Sequence, residues 1–79
     1  IEQAEDALRG LGFRVLRVRH HGDVARLEIG RDEMPRMLDP DIAAAADVAL
    51  RALGFKHVAL DLRGYRLGSL NEGLKLKVV

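Results

Sequence analysis

Leu16-Arg17-Val18-Arg19-His20-His21-Gly22-Asp23-Val24-Ala25-Arg26-Leu27-Glu28-Ile29 is the stretch that decides the fold. Two alternating runs flank His21-Gly22, which reads as a two-residue hairpin loop with Gly22 at positive φ. That loop pairs Val18 with Ala25, Leu16 with Leu27, and Arg17 with Arg26. Side chains alternate along a strand, so Leu16, Val18, Ala25, Leu27 and Ile29 share one face. The expected strands are Phe13–His20 and Asp23–Ile29, joined by a third at Phe55–Leu62 that adds Val58, Leu60 and Leu62 to the apolar face.

Outward from the hairpin, the chain echoes itself. Ala7-Leu8-Arg9-Gly10-Leu11-Gly12-Phe13-Arg14 returns as Ala49-Leu50-Arg51-Ala52-Leu53-Gly54-Phe55-Lys56. Each copy reads as a helix end, a glycine at the left-handed position past it, then a strand. Ala4, Leu8 and Leu11 recur at helical spacing, as do Ile42, Ala45, Ala46, Ala49, Leu50 and Leu53. Asp39-Pro40 is an N-cap and first-turn pair for the second long helix. A short helical turn from Asp32 to Leu38 precedes it, with Asp32 as its cap and Met34 and Met37 as core fillers. Helices over the apolar face give a two-layer α+β domain of helix–strand–strand–helix–strand order. It resembles a ferredoxin-like unit lacking its first strand, which leaves a slot beside the second strand. Leu74, Leu76 and Val78 alternate with Lys75 and Lys77, so the tail is one candidate for an edge strand.

With 79 residues there is one domain, a core over 1–62 and a loop and tail over 63–79. Hydrophobic residues at 48% and charged residues at 32% place it among globular chains. Cysteine is absent, which removes disulfides, thiolate zinc sites and thiol nucleophiles, and a cytoplasmic setting is expected. A formal charge of +1 and one Tyr, two Phe and no Trp argue against nucleic acid as a partner. No apolar run approaches the ~20 residues of a membrane span. Ile1 already lies in a helical pattern, so a fragment of a larger protein, or a processed or trimmed chain, is expected.

The polar face of the sheet carries the functional signal. Arg17, Arg19 and Arg26 share it with Glu28 and Asp61, and Arg17 is expected opposite Arg26. Like charges so placed are destabilising unless an anion lies between them. Arginines two apart on a strand sit ~6–7 Å apart and project the same way, which suits a grip on one phosphate or carboxylate. Three guanidinium groups against two carboxylates suit a phosphate monoester rather than a polyanion. The other reading of the same residues is a solvated face of mutual salt bridges. Glu5, at the margin of the first helix's apolar stripe, either edges it or aims inward at a ligand or a hard cation. His20 and His21 point to opposite faces and cannot ligate one metal together, and turn or edge positions suit both. Arg63 to Glu72 reads as a long loop whose Tyr65 and Arg66 could reach a ligand. No catalytic triad, P-loop or HExxH spacing is present.

Taken together, the run Arg17 to Glu28, the stretch Ala52-Leu53-Gly54-Phe55 and the run Leu60-Asp61-Leu62-Arg63-Gly64-Tyr65-Arg66-Leu67-Gly68-Ser69-Leu70-Asn71-Glu72 resemble the C-terminal region of the ATP-dependent sacrificial sulfur transferases. That family belongs to the PP-loop ATP pyrophosphatase superfamily and serves nickel-pincer cofactor biosynthesis. Leu67 departs from the small polar residue the family pattern has there. The resemblance implies adenylylation of a carboxylate of a pyridinium mononucleotide, followed by sulfur transfer to it. The ATP loop and the sulfur-donating cysteine would lie in an N-terminal ATP-binding domain outside this chain. By the same resemblance Arg17 and Arg19 would hold the substrate phosphate, and Glu28 and Glu5 would be ligand or metal carboxylates. ATP and a divalent metal are implied for the host protein and no cofactor for this chain alone, with a homo-oligomer as the expected assembly. The alternative is a non-catalytic structural or oligomerisation module packed against a catalytic domain.

Overall fold

The computed structural model describes residues 2–66. In order these form α1 (Glu2–Gly10), β1 (Leu16–His21), β2 (Val24–Ile29), α2 (Met34–Met37), α3 (Pro40–Ala52) and β3 (His57–Leu60). The three strands make one mixed sheet in the order β1-β2-β3. The α+β order read from the sequence is thus the observed one. Leu67 to Glu72 and the alternating tail lie outside the described residues.

The repeated sequence makes a repeated structure. Gly12 (φ +99) and Gly54 (φ +108) both take the left-handed position that ends their helices. Gly12 N–H donates to Arg9 O and Phe13 N–H to Leu8 O, while Gly54 N–H donates to Arg51 O and Phe55 N–H to Leu50 O. This double return of N–H groups satisfies carbonyls that the helix end leaves open, and it turns Phe13 and Phe55 back onto the core. Asp39 caps α3 as expected, accepting from Asp41 N–H at 2.8 Å and Ile42 N–H at 3.4 Å. The cap of α2 differs from the expectation. Glu33, not Asp32, is the N-cap residue, and its carboxylate is used elsewhere.

Parity holds. Leu16, Val18, Ala25, Leu27 and Ile29 are buried with Ala4, Leu8, Phe13, Met37, Ala46 and Leu50, while Met34, Val58 and Leu60 pack at the margin. The register does not hold: Leu16 pairs with Ile29, Arg17 with Glu28, Val18 with Leu27 and Arg19 with Arg26. The loop is therefore Gly22-Asp23, not His21-Gly22, and Gly22 (φ +58) supplies the positive φ that a two-residue hairpin with glycine first requires. A shift by two residues leaves every side chain on its expected face. It gains a His21–Val24 pair and sets Arg17 against a carboxylate instead of an arginine.

β3 runs parallel to β2, pairing Ala25 with Val58 and Leu27 with Leu60. The crossover that parallel neighbours need is the α2–α3 segment. The element order expected of a ferredoxin-like remnant is kept, but the slot it implied beside β2 is filled by β3 itself. Leu62 is the other correction. It is 80% exposed rather than inward, because β3 stops at Leu60. There Asp61 accepts from Arg63 N–H at 2.9 Å, and Gly64 N–H donates to Asp61 O at 3.0 Å, closing a turn. The chain then rejoins the sheet through Tyr65 N–H to Ile29 O at 2.8 Å.

The start of the hairpin is tied down by the segment that follows β2. Glu33 accepts from Arg14 N–H at 2.9 Å and Val15 N–H at 2.8 Å. Arg36 donates to Leu11 O at 2.7 Å and Gly12 O at 3.2 Å, while its guanidinium lies 4.7 Å from the centre of the Phe13 ring. The end of α1 and the entry to β1 are thereby both held from α2.

Two outcomes follow. Gly64 has φ +78, and a Cβ there would sit 2.8 Å from Ile29 O, so Gly64→Ala destabilises the domain by about 2 kcal/mol in denaturant unfolding. The Val15 N–H bond, with those from Arg14 and the charges of Arg14 and Arg36, holds the Glu33 carboxyl below its ordinary value of 4.5. A depressed folded pKa stabilises above the unfolded value and is lost as pH falls through the folded one. The stability of the wild type should therefore fall below about pH 4.5 more steeply than that of Glu33→Gln.

Candidate functional site

The polar face of the sheet is a small grid. Arg17, Glu28 and the Asp61 that follows β3 form one row; Arg19, Arg26 and Ala59 form the next; His21, Val24 and His57 form the last. Arg17, Arg19 and His21 alternate along β1, so all three present the same side. They line a cleft of about 660 Å³ together with Glu5, Arg26, Glu28 and Arg66. That volume is in the range of small-molecule sites.

Glu28 stands at the centre, on the middle strand, and its residue is only 3% exposed. Its carboxylate meets Arg19 Nε at 3.3 Å through one oxygen and Arg26 Nη1 at 3.2 Å through the other. Arg19 and Arg26 lie directly opposite each other in the register, so this buried anion offsets their repulsion. The face carries the mutual salt bridges of one expected reading, and the anion between the paired arginines is an internal one.

Beyond Glu28 the ion pairs continue toward β3. Arg26 also donates to Asp61, which lies 3.9 Å from Arg66 Nη1. The Arg63 N–H holds the Asp61 carboxyl below the ordinary carboxylate range, aided by the Arg26 hydrogen bond and the charges of Arg66 and Arg26 against the opposing effect of burial. Asp61 therefore stays ionised and keeps the turn and Arg26 together.

On the other flank, Glu5 reaches the sheet from α1. It accepts from Val18 N–H at 3.1 Å, on the edge of β1 that β2 does not cover, and pairs with Arg17 Nε at 3.6 Å and Arg9 Nη2 at 3.8 Å. The carboxylate aims inward, as one of the two expectations had it, but at the strand and its arginines. Arg17 and Arg19 are each held through Nε with side chains 45% exposed. Among the described residues their terminal amino groups meet no carboxylate more closely, so these are the donors the cleft offers to a ligand.

The structure brings Arg17, Arg19, Glu28 and Glu5 together in one cleft. The carboxylates expected near a divalent metal do not form a metal donor set as they stand. Both oxygens of Glu28 face guanidinium groups, and Glu5 is shared between a backbone N–H and two arginines. No three His, Asp or Glu side chains converge among the described residues. His20 packs edge-on against Phe55, with ring centres 5.3 Å apart, while His21 lies 3.4 Å from Arg26 Nη2 on the polar side. The sequence reading gave His21 only a turn position. Its shared parity with Arg17 and Arg19 was the signal that places it in the cleft. Of the two loop residues singled out, Arg66 lines the cleft, whereas Tyr65 lines neighbouring depressions.

The chain is thus a small α+β domain whose sheet presents one polar face of arginines and carboxylates. The chain is 42% identical, over 90% of its length, to a segment amounting to 25% of the pyridinium-3,5-bisthiocarboxylic acid mononucleotide synthase of Lactiplantibacillus plantarum. It is 32% identical, over 94% of its length, to 28% of an uncharacterized Synechocystis protein. It thus spans about a quarter of the length of these curated relatives. No family model matches the chain. The resemblance carried by the Arg17–Glu28 and Leu60–Glu72 runs is met by the first of these similarities. Among the described residues no helix is long and apolar enough to cross a membrane.

Glu5→Ala removes the acceptor of a strand-edge N–H and the partner of Arg17 in one step. It should cost about 1–2 kcal/mol in denaturant unfolding, and Glu5→Gln, which keeps an acceptor oxygen, should recover about half.

Proposed function

We propose that this chain is the C-terminal, substrate-holding and assembly domain of a cytoplasmic ATP-dependent sulfur transferase, and that its cleft holds the phosphate of a pyridinium mononucleotide. The observation that carries the reading is the pair Arg17 and Arg19. They are two apart on one strand, each anchored through Nε, and they line a cleft large enough for a mononucleotide. Anchoring orients a guanidinium before the ligand arrives, which lowers the entropy lost on binding. The Lactiplantibacillus relative is by name a mononucleotide synthase, and a mononucleotide presents one phosphate monoester.

In this reading ATP, any divalent metal and the sulfur donor belong to the N-terminal ATP-binding domain of the host, and host protomers assemble as a homo-oligomer. The residues of this chain bind and orient. Arg17 and Arg19 hold the phosphate, Glu5 and Glu28 hold the arginines, and Arg66 and His21 close the cleft at either side.

The second reading, a structural module that packs against a catalytic domain, is favoured by a different observation. Leu38, Val48 and Leu62 are large apolar side chains left exposed among the described residues.

Titration with nicotinic acid mononucleotide, followed through the arginine Nε–Hε signals, separates the two. The phosphate-holding reading expects Arg17 and Arg19 to shift together, and Arg19→Ala to weaken binding about tenfold. A titration that moves neither arginine overturns it and leaves the structural module.

A further inference from the structure

We infer that Glu28 is a specificity-determining residue that limits the cleft to a single phosphoryl group, by acting as a fixed internal anion between Arg19 and Arg26. The inference rests on the phosphate-holding reading and adds to it the amount of negative charge the site accepts.

Four guanidinium groups face this cleft or its wall, from Arg17, Arg19, Arg26 and Arg66. Three carboxylates stand among them. Glu5 holds Arg17, Glu28 holds Arg19 and Arg26, and Asp61 holds Arg26 and approaches Arg66. Among the described residues these seven groups leave a surplus of one positive charge, and Arg9 adds another where it shares Glu5. A phosphate monoester brings about two negative charges at neutral pH, and several charge-assisted hydrogen bonds from Arg17 and Arg19 can accommodate it. A diphosphate brings a second phosphoryl group, which would have to approach the Glu28 carboxylate or displace it.

Glu28 cannot easily be displaced. It sits on the central strand with a residue exposure of 3%, and both its oxygens are engaged. Swinging out would leave Arg19 and Arg26 directly opposed. Replacing the carboxylate by its neutral amide removes one negative charge within a few ångströms of the ligand. A polyanion gains more from that change than a monoester does. A residue with only a structural part would alter stability and leave the relative affinity of the two anions unchanged.

Calorimetric titration of the full chain with inorganic phosphate and with pyrophosphate, at fixed ionic strength, tests this. The wild type should bind pyrophosphate no more tightly than phosphate, and Glu28→Gln should raise the preference for pyrophosphate by about tenfold. Asp61→Asn removes a less buried carboxylate from the same row and should shift the preference the same way by a smaller factor, which keeps the test open if Glu28→Gln fails to fold. A wild type that favours pyrophosphate over phosphate overturns the inference without any variant. So does an unchanged ratio in the folded variants. If Arg17→Ala and Arg19→Ala leave phosphate binding untouched, the phosphate-holding reading itself fails. If they abolish it while the ratio stays fixed in Glu28→Gln and Asp61→Asn, only the charge limit fails.

Discussion

A carboxylate placed in the middle of a three-stranded sheet must find cationic partners or lose its charge, since an unpaired buried anion costs several kcal/mol. Glu28 meets that requirement with Arg19 from β1 and Arg26 from its own strand. Because Arg26 also reaches Asp61, the constraint extends across all three strands to the turn that follows β3. The ion pairs are not a source of great stability, for desolvation offsets much of their attraction. What they impose is geometry. Any arrangement of the hairpin that separated Glu28 from either arginine would leave a buried charge unmatched.

The same economy appears along β1 and its approach. Two carboxylates from outside the sheet accept backbone N–H groups there, Glu5 that of Val18 at the free edge and Glu33 those of Arg14 and Val15 just before the strand. An edge strand with open donors is a template for unwanted pairing, and side chains bonded to it blunt that tendency. Glu5 links this edge to the cleft by holding Arg17 as well. Structure and site are therefore built from the same contacts, so a substitution at Glu5 or Glu28 disturbs the fold and the arginines together.

Among the described residues the cleft is lined by arginines and carboxylates that hold one another, with His21 at one side. In the proposed reading Arg17 and Arg19 grip a phosphate and another domain brings the chemistry to it. The exposed Leu38, Val48 and Leu62 offer apolar surface on which another domain could rest without covering the cleft's arginines, none of these three being among the residues that line it.

Composition and periodicity alone determined the two layers, the helix-ending glycines at Gly12 and Gly54, the Asp39 cap and the face each strand residue takes. These are local or period-two properties, and each is written in a few neighbouring residues. Which residues meet across the hairpin was decided only in three dimensions. A slip of two residues preserves every inside and outside assignment, so alternation could not distinguish Arg17 opposite Arg26 from Arg17 opposite Glu28. The end of β3, and with it the exposure of Leu62, depended on a turn stabilised by the Asp61 side chain and a return to Ile29. The burial of Glu28 depended on β3 closing beside β2. Long-range pairing sets how charges neutralise one another, and no local pattern along the chain encodes it.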